Sequence, residues 1–164
     1  MEIKVYTIKE ISNLLKIHRT YVSRLIKEGK LNAAKIGRSY RVLEEDLEKF
    51  LGEKIKKPLL KASEVGKILK IHRLYVMRLI KDKKIKAIKI GKFYRVSEKA
   101  LEDFVKEKPL SKIMTAEEVG KKLQLSRLTI INLIKEKKLP AFKIGKFYRV
   151  TEKMLAKFLK VKEL

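Results

Sequence analysis

Three stretches of the chain concentrate basic side chains, and they recur at a regular interval. From Lys16 to Arg41 there are eight Lys and Arg residues against one acid; from Lys70 to Arg95, ten against one; and from Gln124 to Arg149, seven against one. Positive side chains at this density bind polyanions through Coulomb attraction and counterion release. The chemistry that these residues favour is the binding of phosphate groups.

The composition of the whole chain agrees with this. Its 164 residues include 43 Lys and Arg against 19 Asp and Glu, a net charge of +24. Nucleic acid is the first partner to expect, ahead of an anionic membrane. Lysine enrichment also occurs on thermophilic surfaces, and the composition leans toward a thermophilic source, but its confinement to three matching stretches favours a binding surface.

The sequence indicates a protein of the cytoplasm or nucleoid. It has no run of about 18 apolar residues that would span a bilayer. The segment MEIKVYTIKE carries acids among its apolar residues, unlike a signal peptide. We therefore expect no membrane partner.

Catalytic and metal chemistry are disfavoured by the residue types present. The chain has no Cys, which excludes thiol catalysis and Cys-ligated zinc. His18 and His72 lie 54 residues apart, Ser126 takes the third equivalent position, and no acid accompanies them. Helix caps or phosphate donors are the better interpretation. We predict no enzyme activity, no metal, no cofactor and no small-molecule substrate.

An internal repeat dominates the organisation of the chain. The tripeptide Lys-Ile-Gly begins at Lys35, Lys89 and Lys143, a period of 54 residues, and 17 of the 46 aligned positions are identical in all three copies. A supersecondary unit used three times is the expected reading. The predicted modules span 1–51, 60–105 and 114–159, with linkers at 52–59 and 106–113.

Each copy predicts the order helix, turn, helix, hairpin, helix. A capping box at Thr115 to Glu118 begins the first helix of copy 3. The second helices begin after an N-cap, at Arg19, Arg73 and Arg127. Branched and aromatic residues around a Gly then form a hairpin signal. The fold class is mainly α with small β-hairpins, an α+β chain of three tandem winged helix-turn-helix modules.

These residues resemble the excisionase-type helix-turn-helix family, relatives of the MerR DNA-binding domain. The frame is T-x-x-E-V-x-x-x-L-x-(L/I)-S-R-x-T-(V/I)-x-x-L-I, followed by L-P-A-x-K-I-G-(R/K)-x-(Y)-R-V. Copy 3 matches it best, from Thr115 to Arg149, and all three copies fit.

The resemblance implies that the second helix of each copy enters the major groove, while the hairpin wing lies on the backbone or an adjacent minor groove. Arg pairs bidentately with guanine and Asn with adenine, whereas Thr and Ser are permissive. The implied residues of the second helices are Arg19, Thr20, Ser23, Arg24, Arg73, Arg78, Arg127 and Asn132. The implied phosphate contacts of the wings are Lys35, Arg38, Arg41, Lys89, Lys92, Arg95, Lys143, Lys146 and Arg149.

The copies depart from the family pattern on the second helix. Tyr21 and Tyr75 stand where the family has Thr, a change that retunes the contact. Apolar residues also occupy its groove-facing positions, and they either touch thymine methyl groups or bury against a neighbouring module or a second chain. These candidates for self-association are Leu74, Met77, Leu128 and Ile131.

The sequence thus predicts a double-stranded DNA-binding protein whose modules follow the duplex at about one helical turn each. Its role is regulatory or architectural, through bending, coating or compacting DNA. One alternative is an RNA-binding or ribosome-associated protein, because basic charge attracts any phosphate backbone. Another is a scaffold that docks acidic proteins or membranes.

Overall fold

The computed structural model describes residues 2–161, without the side chain of Val161. The first repeat contains β1 (Val5–Tyr6), α1 (Ile8–Leu15), α2 (Arg19–Lys27), β2 (Ala34–Ile36), β3 (Ser39–Leu43) and α3 (Glu44–Leu51). The second contains α4 (Ala62–Leu69), α5 (Arg73–Lys81), β4 (Ile88–Ile90), β5 (Phe93–Arg95) and α6 (Glu98–Val105). The third contains β6 (Ile113–Thr115), α7 (Ala116–Leu123), α8 (Arg127–Lys135), β7 (Phe142–Ile144), β8 (Phe147–Thr151) and α9 (Glu152–Val161).

This order confirms the predicted α+β fold of three tandem units. The predicted helix starts are also confirmed, because α2, α5 and α8 begin at Arg19, Arg73 and Arg127. His18 caps α2 by accepting from the Thr20 N–H, and His72 caps α5 by accepting from the Leu74 N–H. Ser126 caps α8 by accepting from the Thr129 N–H, one residue further along. A side-chain acceptor at this position satisfies a backbone donor that would otherwise lack a partner.

Capping boxes fix the start of the first helix in two repeats. The Thr7 side chain accepts from the Glu10 N–H at 3.2 Å, and the Glu10 carboxylate accepts from the Thr7 N–H at 2.7 Å. The pKa of Glu10 is lowered chiefly by this bond from the Thr7 backbone. Thr115 and Glu118 repeat the arrangement at 3.2 and 2.8 Å.

Each repeat carries an antiparallel two-stranded hairpin closed by two residues. We call β2–β3, β4–β5 and β7–β8 hairpins 1, 2 and 3. In hairpin 1 the strands pair from Ala34 with Arg41 to Ile36 with Ser39, so that Gly37 and Arg38 form the turn. Gly37 has φ +61° whereas Arg38 keeps a negative φ, which is the pattern of a type II′ turn. The glycine is therefore required by backbone geometry.

The described chain divides into two compact units that do not follow the repeat boundaries. Among the described residues, the first unit comprises 2–62 with 86–98, and the second comprises 63–85 with 99–161. Hairpin 2 therefore belongs with the helices of the first repeat, and Ile90 joins a core there that contains Ile11, Leu15 and Val22. The second unit has its own core around Val119, Ile130 and Val150. The boundaries of three modules stay a prediction.

The two segments expected to be linkers carry packed residues. Leu59 is fully buried in the first unit, and its N–H donates to the Leu14 carbonyl at 2.7 Å. In the second unit, Glu107 accepts from the Ser111 N–H at 2.8 Å and from the Thr151 hydroxyl at 2.6 Å. Burial acts to raise the pKa of Glu107, but these bonds outweigh it and the pKa is lowered. Both segments thus contribute to the packing of their units.

Candidate nucleic-acid interface

The second helix of each repeat presents its predicted residues to solvent. Apolar side chains bury one face of the helix, with Val22, Val76 and Ile130 fully enclosed. Because the helical period places the polar positions opposite that stripe, the predicted side chains emerge on the outer face. The exposed members are Arg19, Thr20, Arg24, Arg73, Arg78, Arg127 and Asn132, and Ser23 is half-buried.

The hairpins add a second basic surface. Their strands alternate, so that the Lys of each Lys-Ile-Gly points away from the face that carries Ile. The exposed basic residues of the hairpins are Lys35, Arg38, Lys89, Lys92, Lys143 and Lys146. Lys92 and Lys146 occupy the turns, where they lie over the Phe93 and Phe147 rings at 5.5 and 5.6 Å.

The remaining arginines of hairpins 2 and 3 are placed differently from their prediction, whereas Arg41 of hairpin 1 is half-buried. Arg95 is 6 % exposed, and its guanidinium donates to the carbonyls of Leu15 at 2.8 Å and Lys16 at 2.7 Å. Arg149 is 7 % exposed and donates to Leu69 at 2.9 Å and Lys70 at 2.6 Å. The guanidinium groups that were expected on phosphates therefore face protein carbonyls.

These contacts place a cation at the carboxyl end of the first helix of the preceding repeat. The last carbonyls of a helix lack intrahelical partners and carry partial negative charge. Burial lowers the pKa of Arg149, with the Glu118 carboxylate acting in the opposite direction, and the group stays charged. Each arginine thus fastens one hairpin to the helix pair of the repeat before it.

A row of stacked rings and cations joins α2 to hairpin 2 within the first unit. The Arg24 guanidinium lies over the Tyr21 ring at 4.5 Å. That ring packs edge-on against Phe93, with the ring centroids 5.6 Å apart. The Lys92 ammonium in turn lies over the Phe93 ring. Arg24, which was predicted to contact bases, and Lys92, which was predicted to contact phosphate, thus lie on one continuous surface although they belong to different repeats.

The second unit repeats this arrangement with other residues. Arg78 lies over the Tyr75 ring at 5.8 Å, and a Cβ on Gly145 would overlap the Tyr75 hydroxyl. In the first unit a Cβ on Gly91 would likewise overlap the hydroxyl of Tyr21. The tyrosines that replace the family's Thr are therefore the docking points of hairpins 2 and 3.

A basic groove lies in the third repeat between α8 and hairpin 3. Its volume is about 490 Å³, and Glu117 is the acid on its wall. Ile131 and Phe147 supply apolar surface. The groove brings together four of the predicted site residues and one more, namely Arg127, Lys143, Lys146, Arg149 and Lys135.

Lys135 was missed by the sequence analysis, although a signal for it was present. Lysine occupies its equivalents Lys27 and Lys81, and all three are exposed at the end of the second helix. An identical charged residue at an exposed position of every copy points to a shared binding role rather than to packing.

The apolar residues on the second helices fall into two groups. Leu74 is 62 % exposed and Leu128 is 66 % exposed, whereas Met77 and Ile131 are half-buried. Ile131 packs against the core of the second unit. Contact with thymine methyl groups and contact with a second chain both stay open for the two exposed leucines.

The comparison with protein families identifies the class. A family model described as "Helix-turn-helix domain" matches residues 5–54, 59–109 and 113–160. The matches cover most of the chain in three tandem copies, so this chain belongs to that helix-turn-helix family, as the excisionase-type frame predicted. DNA binding is the function that the family suggests.

One curated relative is similar over a single repeat. The uncharacterized protein YvgK of Bacillus subtilis (strain 168) is 47 % identical over 49 residues, which is 30 % of this chain. The match spans 16 % of the relative's own length. The chain had no significant match among solved structures.

Within residues 2–161, no helix has the length and apolar character needed to cross a membrane. The same residues contain no group of three His, Asp or Glu side chains arranged to hold a metal ion.

Proposed function

We propose that this chain binds double-stranded DNA through its second helices and hairpins, in a regulatory or architectural role. The basic groove between α8 and hairpin 3 carries this proposal. Four exposed cations, Arg127, Lys135, Lys143 and Lys146, line a cleft whose walls come from the two elements that a winged helix-turn-helix protein lays against DNA. A phosphate backbone fits this charge, because each Lys or Arg that neutralises a phosphate releases a counterion.

Hairpins 2 and 3 also lie beside the second helix of the preceding repeat. Lys92 lies at the end of the row that starts with Arg24, so that α2 and hairpin 2 present their charges together. In this proposal α2, α5 and α8 read base edges while Lys92 and Lys146 hold the backbone. Arg95 and Arg149 position the wings rather than bind phosphate.

The first test is fluorescence anisotropy with a random 40-base-pair duplex across a salt series. The replacement Lys92→Ala with Lys146→Ala should lower the slope of log K against log salt by about two, since each lost phosphate contact removes about 0.9. The matched control is Lys49→Ala with Lys157→Ala, which removes the same charge from exposed positions on α3 and α9. An equal slope change in both pairs would contradict the proposed interface.

A site selected from a random pool separates regulation from architecture. A regulator should prefer the selected duplex by about a thousandfold or more at physiological salt. An architectural protein should bind both duplexes alike with a steep salt slope. Structured RNA that competes better than duplex DNA at matched salt would overturn the choice of DNA.

A further inference from the structure

Hairpin 1 exposes a face that the equivalent hairpins bury. Ile36 is 65 % exposed, whereas Ile90 and Ile144 are each 1 % exposed. These residues share the same place in the Lys-Ile-Gly motif and the same strand register. Ile36 therefore leaves apolar surface exposed at the end of hairpin 1. The equivalent Ile90 of hairpin 2 is buried in the core formed with residues of α1 and α2.

The end of the first helix of the third repeat and the turn that follows it expose the complementary face. Leu125 is 44 % exposed, and its equivalent Ile17 is 6 % exposed. Leu123 is half-buried, whereas Leu15 and Leu69 are fully buried. Among residues 2–161, no arginine donates to the carbonyls of Leu123 and Gln124, the positions that accept from Arg95 and Arg149 in the other repeats.

We propose that copies of this chain associate head to tail, with hairpin 1 of one copy docking on α7 and α8 of another. Within the chain, hairpins 2 and 3 each pack on the first and second helices of the preceding repeat, and we call this contact the joint. The contact between copies would form the same joint. Ile36 would bury where Ile90 and Ile144 do, and Arg41 would donate to the carbonyls of Leu123 and Gln124. Such a contact joins two different surfaces, so each added copy leaves one of each exposed and association proceeds beyond the dimer unless a ring closes.

Two sequence differences between the repeats should make the joint between copies weaker than the internal ones. Ser39 stands in place of Phe93 and Phe147, and Thr129 stands in place of Tyr21 and Tyr75. The joint between copies therefore lacks the edge-on aromatic pair of the first unit. Association should be concentration-dependent, and restoring the pair should tighten it by at least about tenfold, because aromatic pairs add to the apolar area buried.

Cross-linking detects the joint directly because the chain has no cysteine. Ser39→Cys and Thr129→Cys are made in separate chains, and the chains are mixed with a short bismaleimide. The docking places these two positions together, so mixed dimers should exceed by severalfold the dimers formed by either variant alone. Equal yields in the mixture and in the single variants would overturn the proposal.

Sedimentation velocity without DNA measures the association of the full chain. The double variant Ser39→Phe with Thr129→Tyr should shift from monomer to dimers and larger species at lower concentration than the wild type. Ile36→Glu should abolish that shift in the double-variant background. The matched control is Ile3→Glu, which removes an apolar side chain that is 78 % exposed elsewhere in the same unit.

The outcomes separate this inference from DNA binding. A double variant that stays monomeric with the circular dichroism spectrum of the wild type would overturn head-to-tail association and leave the proposed function standing. An assembly that responds to Ile3→Glu as strongly as to Ile36→Glu would also overturn it, because the contact would then be general hydrophobic adhesion. Association of a chain that fails to bind DNA would support this inference alone.

Discussion

Hairpin 1 and hairpin 3 have nearly the same sequence and different surroundings. Both contain Lys-Ile-Gly followed by a basic residue and Tyr-Arg-Val. Both arginines donate to the carbonyl of the preceding tyrosine, Arg41 to Tyr40 at 2.9 Å and Arg149 to Tyr148 at 2.8 Å. Arg149 is buried and also donates to the carbonyls of Leu69 and Lys70, whereas Arg41 is half-buried. The same motif thus holds hairpin 3 against another repeat but leaves hairpin 1 exposed. The reason is that hairpin 3 has the helix pair of a preceding repeat to pack against, whereas hairpin 1 does not.

The comparison teaches that basic residues of a repeat have no fixed role. An arginine on a hairpin binds whichever acceptor lies nearest, and a helix carboxyl end competes with a phosphate for it. Hairpin position within the chain decides which acceptor is present.

Removing the buried isoleucine should give the largest difference between the hairpins. Ile90→Ala and Ile144→Ala should each lower the free energy of unfolding by about 2–5 kcal/mol, because a buried side chain leaves a cavity. Ile36→Ala should change it by less than about 0.5 kcal/mol. Urea unfolding at low protein concentration measures all three, and comparable losses would show that hairpin 1 is buried in solution.

The arginines should show the next largest difference. Arg95→Ala and Arg149→Ala each remove charge-assisted bonds to helix carbonyls, so we expect a loss of about 2–3 kcal/mol in unfolding free energy. Arg149→Lys should restore little of it, since an ammonium lacks the planar fork that spans two carbonyls. Arg41→Ala is the matched variant and should cost under about 1 kcal/mol.

The turn glycines offer a smaller contrast. Alanine at Gly37 meets a positive φ and open space, so the cost is conformational and about 1 kcal/mol. Alanine at Gly91 adds an overlap with the Tyr21 hydroxyl, and we expect about 1 kcal/mol more. Tyr21→Phe combined with Gly91→Ala should recover part of that excess in thermal unfolding, and no recovery would place the clash elsewhere.

Acid should lower the stability of the second unit because it protonates Glu118. We expect this effect to be the smallest. Burial acts to raise the pKa of Glu118, but the Lys70 ammonium and the Thr115 N–H outweigh it, and the pKa is lowered. A lowered folded-state pKa stabilises the protein above the unfolded value of about 4.3, and this stabilisation is lost as pH falls through the folded pKa.

The variant Glu118→Gln should therefore lower the melting temperature slightly at neutral pH and reduce its fall below about pH 4.3. Glu10→Gln is the control, because Glu10 forms the same capping box and has no lysine partner within residues 2–161. If the melting temperatures of both variants fell with pH in the same way, the ion pair of Lys70 with Glu118 would not be the cause of the acid effect.

Much of the local structure was predictable from the sequence. Caps such as Thr7, His18 and Ser126 act within three residues, so their effect is visible in the order of amino acids. Apolar spacing also gave the buried stripe on α2, α5 and α8. Thr151 likewise caps the last helix, because its hydroxyl accepts from the Met154 N–H at 3.2 Å.

The candidate site was predictable only in part. The exposed lysines of the hairpins follow from strand alternation, and the outer arginines of the second helices follow from helical period. The roles of Arg95, Arg149, Tyr21 and Tyr75 did not follow, because each depends on a partner in the adjacent repeat.

The sequence by itself determined the period of 54 residues, the order of elements, the faces of each helix and the location of the basic charge. Only the tertiary structure decided which helix pair receives each hairpin. The bonds of Arg95 and Arg149 reach residues 79 and 80 positions away. Local preferences fix backbone angles and buried faces, but each of the three arginines stands in the same Tyr-Arg-Val sequence, so packing between repeats assigns their roles.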